Sequence, residues 1–316
     1  MANVALTRKF KKKLLLLGMG DLTGQIAQLK AVETKDVEIG FEGDSEEQET
    51  DGVSWGANKK HRTSDKVKIT GKIAFAGSGT AGVPPAYREL FLMSGHSETV
   101  KNTGEANEKK VTYTPITENI QKGTVAFLLD GEFHIGKEAQ AEIKLTANSG
   151  EIGYWDFEIS MVGGTIPTTQ PSGLRTLVEG YQTPKAINFA NTPKFQIGGR
   201  DYPMKGFEYT TGNEITALDL VNHQSAMISD RKPMVKVVVG APALSEINLY
   251  QKAWDGVEMP LVLEHGTKAG EKISLNFPNV SLDIPKATDI DGALGYEIEC
   301  TAMQKGNTAP YTIIFS

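Results

Sequence analysis

The stretch Ser64-Asp65-Lys66-Val67-Lys68-Ile69-Thr70-Gly71-Lys72-Ile73-Ala74-Phe75 constrains this chain most, because its plan occurs twice. Ser229-Asp230-Arg231 leads later into Met234-Val235-Lys236-Val237-Val238-Val239. Each copy opens with Ser-Asp and a cation and then alternates into a strand. Each is followed by a Gly/Pro/Ala turn and one short helix, Pro84 to Ser94 in the first and Leu244 to Asp255 in the second. A repeated strand–turn–helix predicts two copies of one domain.

Other landmarks recur in the same order. Lys35 to Phe41 alternates Val37, Ile39 and Phe41 against Glu38, the period of a half-buried strand. Phe195 to Gly198 echoes Val37 to Gly40, Val280 to Ile284 matches Ala141 to Leu145, and Gly295-Tyr296 matches Gly153-Tyr154. Asp65 and Asp230 stand almost as far apart as the helix residues Tyr87 and Tyr250. Tyr154 and Tyr296 are closer by roughly twenty residues, an insertion that a hairpin over Ser97 to Ile116 supplies. Further strands are predicted at Leu14 to Leu17, Gln25 to Val32, Thr124 to Leu129, Gln140 to Leu145, Tyr154 to Val162, Phe207 to Tyr209 and Ile215 to Leu220. The helices place Tyr87, Leu90 and Phe91 on one face, and Ile247, Tyr250 and Trp254 on the other's.

With 316 residues the chain is long enough for two domains with separate cores. The expected division is a flexible basic arm at 1–13, a first domain at 14–163, a Gly/Pro/Ser/Thr-rich linker at 164–180 and a second domain at 181–316. The expected class is mainly β: two tandem β-sandwich or barrel domains, each with one short flanking α-helix. Lys11-Lys12-Lys13 before Leu14-Leu15-Leu16-Leu17 has the start of a signal peptide, but the apolar run stops at Gly18. That is too short to span a membrane, so a soluble product made in the cytoplasm is expected.

The residues suggest no catalyst. His61, His96, His134, His223 and His265 are scattered, without zinc-site spacing. Cys300 is alone and reads as a buried thiol. Asp289-Ile290-Asp291-Gly292 resembles part of a calcium loop but lacks the remaining ligand positions, so a turn before a strand is expected. Gly77-Ser78-Gly79-Thr80 before a helix lacks the phosphate-loop lysine. No nucleophile, base and orienter converge, so no enzyme, cofactor or metal site is expected. A net charge of -6 argues against a general nucleic-acid binder.

Gly82-Val83-Pro84-Pro85-Ala86-Tyr87-Arg88-Glu89-Leu90-Phe91-Leu92-Met93-Ser94-Gly95, then Thr99-Val100 and Val111-Thr112-Tyr113-Thr114-Pro115, resembles major tail tube proteins of long, non-contractile-tailed bacteriophages. The acidic Asp44-Ser45-Glu46-Glu47 loop and Ala293-Leu294-Gly295-Tyr296 fit the same pattern. The likeness covers most of 14–165 and is weaker over 180–316, where the helix lacks Pro-Pro and the hairpin is short. It implies two tail-tube-like domains in a virion protein whose rings stack into a tube for DNA delivery. Tape measure, tail terminator and tail tip proteins are the implied partners, and DNA passes without specific binding.

The resembled rings have sixfold character, so a duplicated chain is expected to need three copies. The 43–64 segment is the expected contact between rings or subunits. Its acidic part (Glu46, Glu47, Glu49, Asp51) can meet the basic part (Lys59, Lys60, Arg62) of a neighbour, with Trp55 between them. The Lys66, Lys68 and Lys72 face is expected against another subunit or the tube exterior, since free cations would hold DNA. The alternative is a receptor- or carbohydrate-binding β-sandwich module of a tail tip.

Overall fold

A computed structural model describes residues 9–48, 57–105 and 108–316. The chain is mainly β, with two short helices and large antiparallel sheets. Its first half runs β1 (Lys13–Met19), β2 (Lys30–Val32), β3 (Lys35–Phe41), β4 (Ser45–Glu47), β5 (Lys60–Arg62), β6 (Lys66–Ala74) and α1 (Arg88–Met93). It continues with β7 (His96–Lys101), β8 (Lys110–Pro115), β9 (Gly123–Leu129), β10 (Glu132–Asn148), β11 (Tyr154–Val162) and β12 (Thr168–Thr169). The second half runs β13 (Lys194–Ile197), β14 (Arg200–Asp201), β15 (Met204–Thr210), β16 (Asn213–Leu220), β17 (His223–Arg231) and β18 (Met234–Gly240). It ends with α2 (Leu249–Trp254), β19 (Met259–His265), β20 (Ile273–Leu282), β21 (Lys286–Ile290), β22 (Ala293–Ala302) and β23 (Thr312–Phe315).

The two halves share one pairing scheme. β1 pairs with β2 and β9, β9 with β10, β10 with β11, β11 with β6, and β6 with β3. In the same order β13 pairs with β14 and β19, β19 with β20, β20 with β22, β22 with β18, and β18 with β15. Even the bulges match. β10 shifts register against β9 between Gly136 and Ala139, and β20 shifts against β19 between Phe277 and Val280. A bulge bends a strand; here it lets one strand leave β9 or β19 and join β11 or β22.

These bulges fix the residue correspondence between halves. Ala139 stands with Val280 and Ala141 with Leu282; through their partners Ile159 stands with Cys300 and Trp155 with Tyr296. The sequence matches therefore need correction. Tyr154 is not the partner of Tyr296: Tyr154 is half-buried on the outer face, whereas Trp155 and Tyr296 both point into the core. With a period of two, a one-residue slip reverses every side chain. Ala141 matches Leu282 rather than Val280. Phe195 to Ile197 lies in β13, the place of β1, with Gly198 in the turn after it; the place of β3 belongs to β15.

Other expectations shift locally. The strand expected over Gln25 to Val32 is a 3-10 turn at Ile26–Gln28 followed by the three residues of β2. The first helix starts at Arg88 rather than Pro84, and Gly95, at φ 77°, terminates it. The second is Leu249–Trp254, and Trp254 lies 78% exposed while Ile247 and Tyr250 pack on the core. Within the expected arm at 1–13, Lys9 and Lys12 already bind Asp130, and β1 begins at Lys13. Within the expected linker, β12 pairs with β10 and Val178 bridges to Ala31.

One hydrophobic cluster includes residues from both halves. The Phe315 ring of β23 lies within 6.4 Å of Tyr87, 5.8 Å of Phe91 and 5.8 Å of Tyr113. A fully buried phenylalanine contributes about 1.5–3 kcal/mol through burial alone. Polar tips inside this core are satisfied in series: Trp155 Nε1 donates to the Tyr87 hydroxyl, which donates to the Ala76 carbonyl. β23 also pairs with β8, so the last strand is hydrogen-bonded to the hairpin β7–β8 of the first half.

Candidate assembly surface

Eight antiparallel strands form one continuous sheet in the order β3, β6, β11, β10, β15, β18, β22, β21. β6 and β18, the strands of the repeated Ser-Asp motif, are interior strands flanked on both sides. Val67, Ile69, Ile73 and Phe75 point into the core, as do Val235, Val237 and Val239. The halves join where Lys144 to Asn148 of β10 meet Gly206 to Thr210 of β15. Among the described residues, β3 pairs only with β6, and β21 only with β22. Each therefore leaves a row of backbone donors and acceptors at a sheet edge.

The half-to-half junction is chemically dense. Glu142 accepts from the Thr210 and Thr211 hydroxyls and from the Gly212 and Asn213 amides, the amides at 2.9 and 2.7 Å. Carboxylates that receive backbone amides make strong charge-assisted bonds. Lys144 Nζ lies 2.8 Å from Glu208 Oε2 across the junction. Arg231 donates through Nη2 to the Ser94 and Gly95 carbonyls at 2.9 and 3.0 Å, through Nη1 to the Ile116 carbonyl at 3.2 Å, and through Nε to Asn213 Oδ1 at 2.7 Å. The orphan carbonyls at the end of α1 thus find their donor in the second half. Sequence reading placed Arg231 only as the cation leading a strand.

The outer face of the sheet is a lattice of opposite charges. Lys68 meets Glu158 and, at 3.6 Å, Glu42; Lys72 lies 3.1 Å from Asp156; Lys236 lies 3.0 Å from Glu297; Lys286 lies 3.6 Å from Glu299. Hydrogen bonds to Glu158 and Glu297 hold the Lys68 and Lys236 ammonium groups above the ordinary lysine range. Lys66 lies 3.7 Å from Asp44. The lysines of the opening motif therefore sit among carboxylates rather than forming an uncompensated basic stripe.

Of the residues expected to make inter-ring or subunit contacts, Glu46, Glu47, Lys59, Lys60 and Arg62 come together on one exposed two-stranded arm, β4–β5. Its register sets Ser45 opposite Arg62, Glu46 opposite His61 and Glu47 opposite Lys60. The acidic and basic parts thus face each other within the arm. Glu49, Asp51 and Trp55 lie outside the described residues. The second half carries an equivalent arm, β16–β17, between β15 and β18. It packs across β10 and β11, buries Ala226 and Ser225, and exposes Leu220 and Val221 near its tip.

Chemical sites of other kinds are sparse. A groove of about 780 Å³ is lined by residues including Lys30, Pro84, Pro85, Arg88, Arg175 and Leu177. Ser78 and Thr176 add hydroxyls, and no histidine or cysteine lines it. Among the described residues no three His, Cys, Asp or Glu side chains are grouped to hold a metal ion. No helix among them is long and apolar enough to cross a membrane. Neither a protein-family model nor a curated protein matches this chain.

Proposed function

We propose that the chain is a structural protein of a phage tail tube, that three copies close into a pseudo-sixfold ring, and that stacked rings conduct DNA. The observation that supports this most is the eight-stranded sheet with one repeated unit joined to its twin through β10 and β15. Among the described residues, the two ends of the sheet, β3 and β21, have no such neighbour. A head-to-tail contact between unlike surfaces gives a closed ring where its rotation closes, and an open filament where it does not. Eight strands from each of three copies make a barrel of more than about twenty strands, wide enough for a lumen rather than a packed interior.

The ion-paired face suits this use. Carboxylates beside Lys66, Lys68 and Lys72 leave no row of free cations to hold phosphates. The reason for assigning those lysines to the tube exterior therefore weakens, because a neutralised lattice can line a conduit. The tape measure, terminator and tip proteins remain the partners that this reading implies.

Negative-stain microscopy and size exclusion at rising concentration test the proposal. Rings or tubes with threefold chain stoichiometry are expected. Uniform monomers at all concentrations, or rings of six chains, would overturn it; monomers that bind a glycan or receptor would instead favour the tail-tip module.

A further inference from the structure

The internal duplication specifies a contact between chains. Lys144 and Lys286 are equivalent, because their partners Asp156 and Glu297 are equivalent on β11 and β22. Glu38 and Glu208 are equivalent, because they oppose Thr70 of β6 and Lys236 of β18. β21 thus occupies in the second half the place that the end of β10 occupies in the first. β3 occupies in the first half the place of β15. We infer that β21 of one copy pairs antiparallel with β3 of the next, with Lys286 opposite Gly40, Ala287 opposite Ile39 and Thr288 opposite Glu38.

Three observations support this. The internal pairs that serve as templates are Lys144–Thr210, Leu145–Tyr209 and Thr146–Glu208. Leu145 and Tyr209 are 0% and 1% exposed, whereas Ala287 is exposed and Ile39 only half-buried. Phe41, equivalent to the fully buried Thr211, is 46% exposed, while Pro285 stands buried in the place of Ile143 and Ile284 is an extra residue before it. Apolar side chains at both free edges thus stand where the internal junction is dry. The charges also repeat. The Lys144–Glu208 bridge that spans the internal junction becomes Lys286 of one copy with Glu38 of the next. Asp283 stands in the place of Glu142 and would receive the amide of Gly43, the equivalent of Asn213.

The arms follow the same rule. β16–β17 folds across β10 and β11, so β4–β5 lies across β20 and β22 of the next copy. The contact assigned to the β4–β5 arm is then lateral, within a ring, rather than between rings.

This contact rests on the ring reading above, and its test separates the two. Lys286→Glu and Glu38→Lys are each expected to raise the concentration needed for assembly roughly three- to tenfold per junction. The double reversal should restore it; Lys286 also meets Glu299 within its own chain, so Lys286→Glu should lower the unfolding midpoint slightly, and the double reversal should restore assembly without restoring that midpoint. A chain carrying Thr288→Cys and Glu38→Cys should oxidise to a ladder ending at trimer. Thr288→Cys with Gly40→Cys, out of register, should cross-link poorly. Deleting Glu46 to Trp55 should weaken rings themselves. Normal rings from both single reversals, or cross-linking only out of register, overturn the register while the tube reading stands. Intact rings that fail to stack after the arm deletion overturn the lateral arm. A chain that stays monomeric overturns both readings.

Discussion

The Tyr311 hydroxyl donates to His96 Nε2 at 2.9 Å, and this bond ties the segment before the last strand to the residue that follows the first helix turn. His96 Nδ1 lies 3.0 Å from the Phe91 carbonyl, which can only accept, so Nδ1 carries the proton and Nε2 receives the tyrosine's. With Nδ1–H given to the Phe91 carbonyl and Nε2 occupied by the tyrosine's proton, the ring is neutral. Burial, and then the nearby Arg231 guanidinium, push its pKa down from 6.5 to about 3. Burial likewise pushes His265 down to about 4.

The pH dependence follows from the sign of those shifts. Below the unfolded value of 6.5 the unfolded chain takes up protons that the folded chain refuses. Stability is therefore flat above about pH 7 and falls as pH drops through 6.5 toward 4, by about 2–3 kcal/mol per histidine at pH 4.5. Urea unfolding between pH 8 and 4.5 measures this. A midpoint unchanged at pH 5 would show that the two imidazoles are not held neutral.

Removing the donor tests the same link differently. Tyr311→Phe leaves Nε2 buried without a partner, at a cost of about 1–3 kcal/mol. Because Tyr311 also packs 5.1 Å from Tyr209, a fall much larger than this would point to lost packing instead. Denaturant midpoints at pH 7.5 provide the comparison.

Arg231 and Gly95 form a second joint between the halves. Arg231→Ala removes the donor for three backbone carbonyls, of which Ser94 belongs to a fully buried residue. A loss of about 2–4 kcal/mol is expected. Gly95→Ala is strained at φ 77° and would set its Cβ 2.1 Å from Arg231 Nη2, so it should lose stability as well. If the two variants act through one joint, their effects in a double-mutant cycle will be less than additive.

How much of this was legible beforehand depended on what each feature needed. The alternation of Val67, Ile69 and Ile73 against Lys66, Lys68 and Lys72 needs only period two, and it gave the right faces. Colinear landmarks were enough to expose a duplication. Tyr154 and Tyr296 are alike in chemistry but not in place, because the inward face that Tyr296 fills belongs to Trp155 in the first half. The open edges of β3 and β21 depend on which strands pair, and pairing partners far apart in sequence leave no local trace. Arg231 shows locally only as the cation leading a strand, since its acceptors, the carbonyls of Ser94, Gly95 and Ile116, lie in the other half of the chain. Pro285, which cannot donate to a ladder, explains why the strand equivalent to β10 is broken between β20 and β21.

Cys300 offers a simple check on the core. It is 1% exposed, and burial first, with Asp283 and Glu299 nearby, pushes its thiol up to about 12. A thiol held protonated and shielded is a poor nucleophile. Maleimide should leave the native chain unlabelled at pH 7.5 and label it once in urea. Rapid native labelling would mean that β22 opens on that timescale.

The charged face can be made to reveal itself. Glu158 and Asp156 are the carboxylates that hold Lys68 and Lys72. Replacing them by Gln and Asn keeps the side-chain shapes and releases Lys72 and, with Glu42→Gln added because Glu42 lies 3.6 Å from it, Lys68 onto the same face. If neutralisation is what keeps this surface from holding DNA, the parent chain should show no retention of duplex DNA at 50 mM salt, whereas Glu158→Gln with Asp156→Asn and Glu42→Gln should. Two released cations engage about two phosphates, so the affinity should fall with salt along a log–log slope of roughly −1.8. Gel-shift titrations across several salt concentrations measure it. Equal, salt-insensitive behaviour of the two proteins would mean that the lattice of ion pairs has no bearing on how this face meets a polyanion.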